Sequence, residues 1–430
     1  MTMTEHILTP DTQAILLLSG SLGQRRESDL RPLSASEYHQ LAQWLHSHQL
    51  RPSDLIGSSG LHLLHEREPV QFDVERIERL LARGAALGLA VETWTNRGLW
   101  VISRSDPQYP QRLRSRLGKT APPILYGAGN QNLLDGGGLA IVGSREIDED
   151  AVAFTRDIAT RCASEVVQII SGGARGVDSE AMLAALDAGG TAIGVLAESL
   201  LKVAVAGRYR PALRDGRLAL VTAYDPDAGF SIGNAMGRNK QIYALSDYAL
   251  VVSSALEQGG TWSGALENLS HQWVPLFVRA TEPMLPGNYR LLEKGGIAIT
   301  HATIAEVPLL NEWMREQSDD THEVQETVEI GARTVLREQN NQRGYELASA
   351  TEPAPVQHDL FLVIWPYLER ELHTARTDRE LADLFGLELI QVRAWLQRAI
   401  ESGMVKKLMK PVRYIAVARV VQAETLPLFS

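Results

Sequence analysis

The chain has 430 residues, with 42 Lys and Arg against 52 Asp and Glu and a formal net charge of -10 at pH 7, which excludes a uniformly basic nucleic-acid binder. A hydrophobic content of 44% excludes disorder throughout, and the length suits roughly two to four domains. No run reaches the roughly 18 uncharged apolar residues of a membrane span, and Met1 to Pro10 lacks signal-peptide character, so a cytoplasmic protein with no membrane contact is expected.

Residues 1–103 read as a helical domain. Ala14 to Leu18 is apolar, and Ser34-Ala35-Ser36-Glu37 has the form of a capping box ahead of Leu41, Trp44 and Leu45 at helical spacing. Val74 to Leu81 places Ile77, Leu80 and Leu81 on one face and charges on the other, and Gly84 and Gly88 loosen its end. Nothing in this part has the pattern of a chemical site.

Residues 104–305 alternate in type. Leu139 to Val142 is a short apolar run followed by Gly143-Ser144-Arg145 and then a helix carrying Val152, Phe154, Ile158 and Ala159. Cys162, the single cysteine, leaves no intramolecular disulfide and no cysteine zinc cluster, and its expected role is a buried bystander. No metal and no cofactor is expected. Val166 to Ile170 is the next strand, ending in Ser171-Gly172-Gly173-Ala174-Arg175-Gly176-Val177-Asp178 before a helix from Ser179 to Ala188. Ala192 to Leu196, Leu218 to Thr222, Tyr248 to Ser253 and Trp273 to Val278 supply further strands. The alternation predicts an α/β fold with a doubly wound parallel sheet.

Such sheets bind ligands outside the carboxyl ends of their strands, where both glycine turns fall. Glycine lets the backbone approach a ligand, and the first turn of a helix favours an anion. Ser144 and Ser171 are candidate hydroxyl donors, and Arg145 and Arg175 candidate partners for phosphate oxygens. Neither the G-x-G-x-x-G dinucleotide pattern nor a Walker A motif follows the first strand. Further on, Gly233 to Ile242 puts Arg238, Asn239 and Lys240 just ahead of an apolar helix, and Gly259-Gly260-Thr261 opens another, with Thr261 a possible donor and Trp262 free to stack or to pack.

Residues 306–355 carry 11 acidic and 4 basic side chains, which is most of the excess acid. This Gln/Asn/Glu-rich segment reads as a tether. Residues 356–420 read as a winged helix: Leu360 to Leu368 forms one helix, Thr377 caps a second, and Glu388 to Ser402 forms the third. Leu381, Leu384, Val392, Leu396 and Ile400 are its expected core. Gln391, Trp395 and Arg398 face outward, and Lys406, Lys407, Lys410 and Arg413 sit on a basic hairpin. Duplex DNA is a candidate partner of this unit, and 421–430 is a tail.

The motif order in the middle part resembles the DNA-processing protein A (DprA, or Smf) family. The resemblance rests on Asp106-Pro107-Gln108-Tyr109-Pro110, Pro122 to Asn130, Ile141 to Arg145, Ser171 to Asp178, Arg238 to Ile242 and Leu245-Ser246-Asp247. It implies an extended Rossmann-like domain that binds single-stranded DNA and helps to load a RecA-type recombinase, without catalysis. The implied pocket includes Gly143, Ser144, Arg145, Ser171, Gly172, Gly173, Arg175, Arg238, Asn239 and Lys240, with Gly259, Gly260 and Thr261 facing the same edge. Three departures stand out: Met182 in place of a usual histidine, Ala197-Glu198-Ser199 in place of a glycine-rich turn, and Lys240 in place of an arginine. A homodimer is expected by analogy with Rossmann-like relatives.

Two other functions fit the residues. A sensor of a nucleotide-derived ligand suits the near-neutral middle part, which has 19 basic and 20 acidic side chains. A nucleotide N-glycosidic hydrolase is suggested by Gly259-Gly260-Thr261, but Gly264 stands where its carboxylate would be.

Overall fold

The computed structural model describes residues 8–23, 30–57, 62, 64, 65, 72–319, 365, 368–385, 389–402, 404–408 and 412–416. The chain divides into two compact units, Met1–Leu336 and Arg337–Ser430.

The first unit opens with helices set by their caps. In α1 (Pro10–Ser19), Thr9 accepts from the Thr12 N–H and Pro10 occupies the first position. α2 (Ala35–Ser47) has the full capping box: Ser34 Oγ accepts from the Glu37 N–H, and the Glu37 carboxylate accepts from the Ser34 N–H. α3 (Val74–Leu81) buries Ile77 and Leu80 as their spacing requires, and α4 (Gly84–Asn96) follows. The Asp106 carboxylate accepts from the Thr9 and Thr12 hydroxyls and from the Ser103 N–H, which ties α1 to the sheet.

Arg76 on α3 donates to Glu37 on α2 at 2.8 Å and so joins two helices. That guanidinium, with the Ser34 donors, holds the Glu37 carboxyl at about 2, below its ordinary 4.5. A lowered carboxyl stabilises the fold above its unfolded value and loses that contribution as pH falls through 4.5 towards 2. Glu37→Gln should therefore lower the melting temperature at neutral pH, and the gap to the native chain should close across that acid window. Parallel melting curves down to pH 2 would sink this assignment.

The remaining elements of this unit are β1 (Leu99–Ser103), α5 (Gln111–Leu117), β2 (Ile124–Gly129), β3 (Leu139–Val142), α6 (Glu149–Ser164), β4 (Ile169–Ser171), α7 (Val177–Asp187), β5 (Ala192–Val195), α8 (Leu200–Ala204), α9 (Arg210–Arg214), β6 (Leu218–Thr222), α10 (Ile232–Leu245), β7 (Tyr248–Val251), α11 (Gly259–His271), β8 (Leu276–Arg279), α12 (Pro286–Glu293), β9 (Ile297–Ile299) and α13 (His301–Glu306). The strand order is β1-β2-β6-β5-β4-β3-β7-β8-β9. β3 to β9 run parallel, as the doubly wound reading expects. The sheet is not wholly parallel, because β1 and β2 add an antiparallel edge.

Alternate residues of β3 enter opposite layers. Leu139 and Ile141 pack with Phe154, Ile158 and Leu250, whereas Ala140 and Val142 pack with Ile242, Leu245 and Val251. From β3 the chain winds one way through β4, β5 and β6, then returns to β7 on the other side of β3. The β3/β7 junction is therefore the topological switch point, where helices diverge and a crevice opens at the carboxyl ends.

Three expectations shift. The strand expected from Val166 is Ile169–Ser171, because Val166 sits at φ 60 and is almost fully exposed in the turn before it. Leu99–Ser103, grouped with the helical part, is a sheet strand. The tether does not start at 306: Leu310 and Met314 are buried against α6, the Glu165 carboxylate accepts from the Leu310 and Asn311 N–H groups, and Arg161 donates to the carbonyls of Val307 and Pro308. Cys162 is buried as expected, and burial pushes its thiol up. Among the described residues no helix is long and apolar enough to cross a membrane.

In the second unit, α14 (Asp378–Phe385) and α15 (Leu389–Glu401) precede an antiparallel hairpin of β10 (Val405–Leu408) and β11 (Arg413–Ala416). Thr377 and Glu380 form a reciprocal cap at the start of α14. Leu381, Val392 and Leu396 are buried and Ile400 packs on them. Leu384, expected in this core, is 51% exposed, since it lies on the solvent face of α14. Trp395, expected outward, packs half-buried on the core. Residues 320–355, most of the expected Leu360–Leu368 helix and the tail 421–430 lie outside the described residues.

Candidate nucleic-acid interface

The site is built at the carboxyl ends of β3, β4, β5 and β7. After β3, the Ser144 N–H donates to Ser253 Oγ at 3.0 Å, and Ser144 Oγ accepts from the Glu146 N–H. Two hydroxyls expected to meet an anion are used inside the fold. Thr261 Oγ1 donates to the Gly143 carbonyl at 3.0 Å, fastening α11 to the β3 turn, and the buried Ser171 Oγ donates to the Ile141 carbonyl at 2.6 Å. Both geometries fix backbone turns, so these residues shape the site instead of offering their hydroxyls to it.

Two glycines are required by their surroundings. A Cβ on Gly172 would lie 1.3 Å from Arg238 Nη1, so only glycine leaves room for that guanidinium. Gly176 sits at φ 90, and a Cβ there would lie 2.3 Å from the Ser144 carbonyl oxygen. Its tight turn lets the Val177 N–H donate to that carbonyl, which joins the two glycine turns.

Arg238 was expected in a loop ahead of a helix, but α10 starts earlier, where Ser231 Oγ accepts from the Asn234 N–H. Arg238 is thus in mid-helix and only 6% exposed. It reaches Asp178 on α7 at 3.5 Å, while its Nε and Nη1 have no hydrogen-bond partner. Burial pushes the Asp178 carboxyl up, against the opposing pull of Arg238 and of the Gly143 and Gly172 N–H groups. Arg238 lines the cavity wall and lends it positive charge, although these two nitrogens are themselves buried.

Two cavities meet around Arg145, Phe230 and Arg238. One, of about 640 Å³, is lined by Gly143, Ser144, Asn239 and the start of α11 at Gly259, Gly260 and Thr261. The other, of about 500 Å³, is lined by Gly172, Ala174, Arg175, Ala197 and Glu198. The Arg145 guanidinium lies over the Phe230 ring at 4.9 Å, and both are exposed. Phe230, Ile232 and Met236 form an apolar rim that the sequence reading missed. The α11 N-terminus has no side-chain cap, since Gln258 makes no such bond. Arg175 pairs with Glu146 at 3.5 Å, but both are largely exposed and the pair is weak. Gly173 sits beside this turn at φ 66.

Lys240 is not part of this cluster. Two residues beyond Arg238 on α10, it lines a separate cavity of about 690 Å³ with Tyr126, Tyr224, Asp225 and Asp227. Helical geometry alone puts positions i and i+2 on different faces. Asn239 donates to the Gly260 carbonyl at 2.9 Å and holds the start of α11 against α10. Trp262 is buried and packs, and Met182 is buried beneath the Gly173 turn. In the second unit, Arg398, Lys406, Lys407 and Arg413 are exposed; the Gln391 side chain and Lys410 lie outside the described residues.

Residues 100–307 match the family of the DNA recombination-mediator protein A. The chain is 26% identical over 280 residues to Protein Smf of Escherichia coli (strain K12), covering 64% of this chain and 71% of that protein. The X-ray structure of DNA processing protein A (DprA) from Streptococcus pneumoniae shares the fold, with a TM-score of 0.54 and 19% identity over 70% of this chain and 98% of that one. The matched segment holds the sheet, both glycine turns and the Arg238–Asp178 pair, and it is this segment, residues 100–307, that belongs to the DNA-processing protein A (DprA/Smf) family.

Proposed function

We propose that the chain binds single-stranded DNA in the cleft at the β3/β7 switch point and passes it to a RecA-type recombinase. The observation that carries this reading is the exposed Arg145–Phe230 stack beside the uncapped start of α11. A ring and a guanidinium plane stack on bases whose faces are free, as in a single strand, while the uncapped N–H groups at the start of α11 meet phosphate. The family is one of recombination mediators, which act by binding. The hydrolase alternative lacks its carboxylate: Gly264 stands at that position, packed tightly enough that a Cβ there would lie 3.2 Å from Tyr243 and 3.3 Å from Asn239.

The test is a fluorescence-anisotropy titration of the full chain with a labelled single strand and the matching duplex. The single strand should bind at least about tenfold more tightly, the worth of roughly one stacked base. Lys240→Ala should change the affinity less than about twofold, because its side chain serves the other cavity. Equal affinity for strand and duplex would overturn the proposal. Transfer is read separately, as faster filament formation by a RecA-type recombinase on the bound strand.

A further inference from the structure

Glu198 has no role in the site as described so far, yet it stands inside the cavity that Arg145, Arg175 and Arg238 line. It is the one exposed side chain in the turn after β5, between the buried Ala197 and the buried Ser199. That turn is held on both sides. The Thr222 hydroxyl donates to the Leu196 carbonyl, Ser199 Oγ donates to the Pro226 carbonyl, and the Lys202 N–H donates to Ser199 Oγ at the start of α8. The backbone under Glu198 is therefore fixed.

A carboxylate among arginines ordinarily pairs with one of them. Here Arg238 is engaged by Asp178, Arg175 by Glu146, and Arg145 lies on Phe230. Among the described residues Glu198 has no ion-pair partner, and it is an exposed residue of the cavity lining. A phosphate is repelled from a carboxylate, so the lobe that holds Glu198 suits a base and not the strand's backbone. Phe230 and Arg145 line the same lobe and offer the stacking face.

Resting on the single-strand reading above, we propose that Glu198 is a specificity-determining residue that reads the edge of the base stacked in this lobe. A carboxylate accepts hydrogen bonds and donates none. It matches guanine best, whose N1–H and N2 amino donors are adjacent and can be met by both oxygens. The N4 amino of cytosine and the N6 amino of adenine each offer a donor to one oxygen. Thymine is the poorest fit, because its single N3–H lies between two carbonyl oxygens that face the carboxylate with like charge.

The experiment compares three labelled single strands on the full chain: an oligothymidine, the same strand with one central guanine, and the same strand with one central cytosine. One substituted base suffices, since a strand can shift its register to place that base in the lobe. The guanine strand should bind roughly tenfold more tightly than oligothymidine, with cytosine between them. Glu198→Gln keeps the shape but exchanges one acceptor for a donor. It should bring the guanine preference to within about twofold and tighten binding of oligothymidine by removing a negative charge. The side chain is exposed, so the variant should fold, and an unchanged melting temperature checks that. If the variant tightens all three strands equally and the preference persists, Glu198 is only a charge and the inference falls. If the native chain binds all three alike, the inference falls while single-strand binding stands. If it binds none of them, both fall together.

Discussion

Replacing Asp178 with alanine should destabilise the first unit by about 3 to 5 kcal/mol, the usual cost of stripping a buried ion of its partner. Arg238 is 6% exposed, and two of its nitrogens already lack hydrogen bonds, so losing the 3.5 Å contact leaves a largely buried guanidinium without its counter-charge. Arginine cannot escape by losing its proton. The reverse substitution, Arg238→Met, should cost less, because Asp178 can take up a proton; burial already pushes its carboxyl up. The sign of the pH effect follows. A carboxyl raised in the folded state favours folding at low pH and disfavours it as pH rises through its folded value. The deficit of Arg238→Met should thus be largest at neutral pH and shrink on acidification towards the ordinary value of 3.8, while that of Asp178→Ala should not shrink. Denaturant midpoints of the two variants across pH decide the matter, and equal, pH-independent losses would mean that the pair is not buried together. In a unit of this size, the alanine variant should melt roughly 10 °C lower.

How much of this was open to reading in the sequence varies with the range of the interactions. The turns at Gly143 and Gly172 were legible, because each ends an apolar run too short for a helix and precedes a helical pattern. β2 was not, since Ile124-Leu125-Tyr126-Gly127-Ala128-Gly129 has two glycines where a strand is normally disfavoured. Those glycines answer to distant partners: a Cβ on Gly127 would lie 2.1 Å from the Trp100 ring, and Gly129 sits at φ 87. Arg145 and Arg238 were both named for the site, but only contact with α7 makes one of them buried. Lys240 was grouped with Arg238 because the two flank Asn239 in one short basic motif that was placed ahead of a helix. With the cap at Ser231 recognised, the helix would have separated the two residues. Phe230 was not legible, because a single apolar residue in a polar run is ordinary on a protein surface, and only its contact with Arg145 at the cavity wall marks it.

Arg145→Ala combined with Phe230→Ala should weaken single-stranded DNA binding by about a hundredfold or more, the sum of one stacked base and one phosphate contact. Both side chains are exposed and their contact lies on the cavity wall, so melting should change little. Charge pairing in the cleft also sets the salt response. The net charge of -10 already argues against broad electrostatic capture. Within the two cavities, Arg238 faces Asp178 and Arg175 faces Glu146, which leaves Arg145 as the cation without an acidic partner there. A strand meeting about one to three cations should show a log-affinity against log-salt slope of roughly -1 to -2, well short of the steep dependence of a polybasic groove. Because Phe230 carries no charge, Phe230→Ala alone should lower affinity without changing this slope, whereas Arg145→Ala should lower both the affinity and the slope, by about one unit. Anisotropy titrations at several salt concentrations separate these effects. A slope several-fold steeper in the native chain, or one that Arg145→Ala leaves untouched, would place the DNA on another surface.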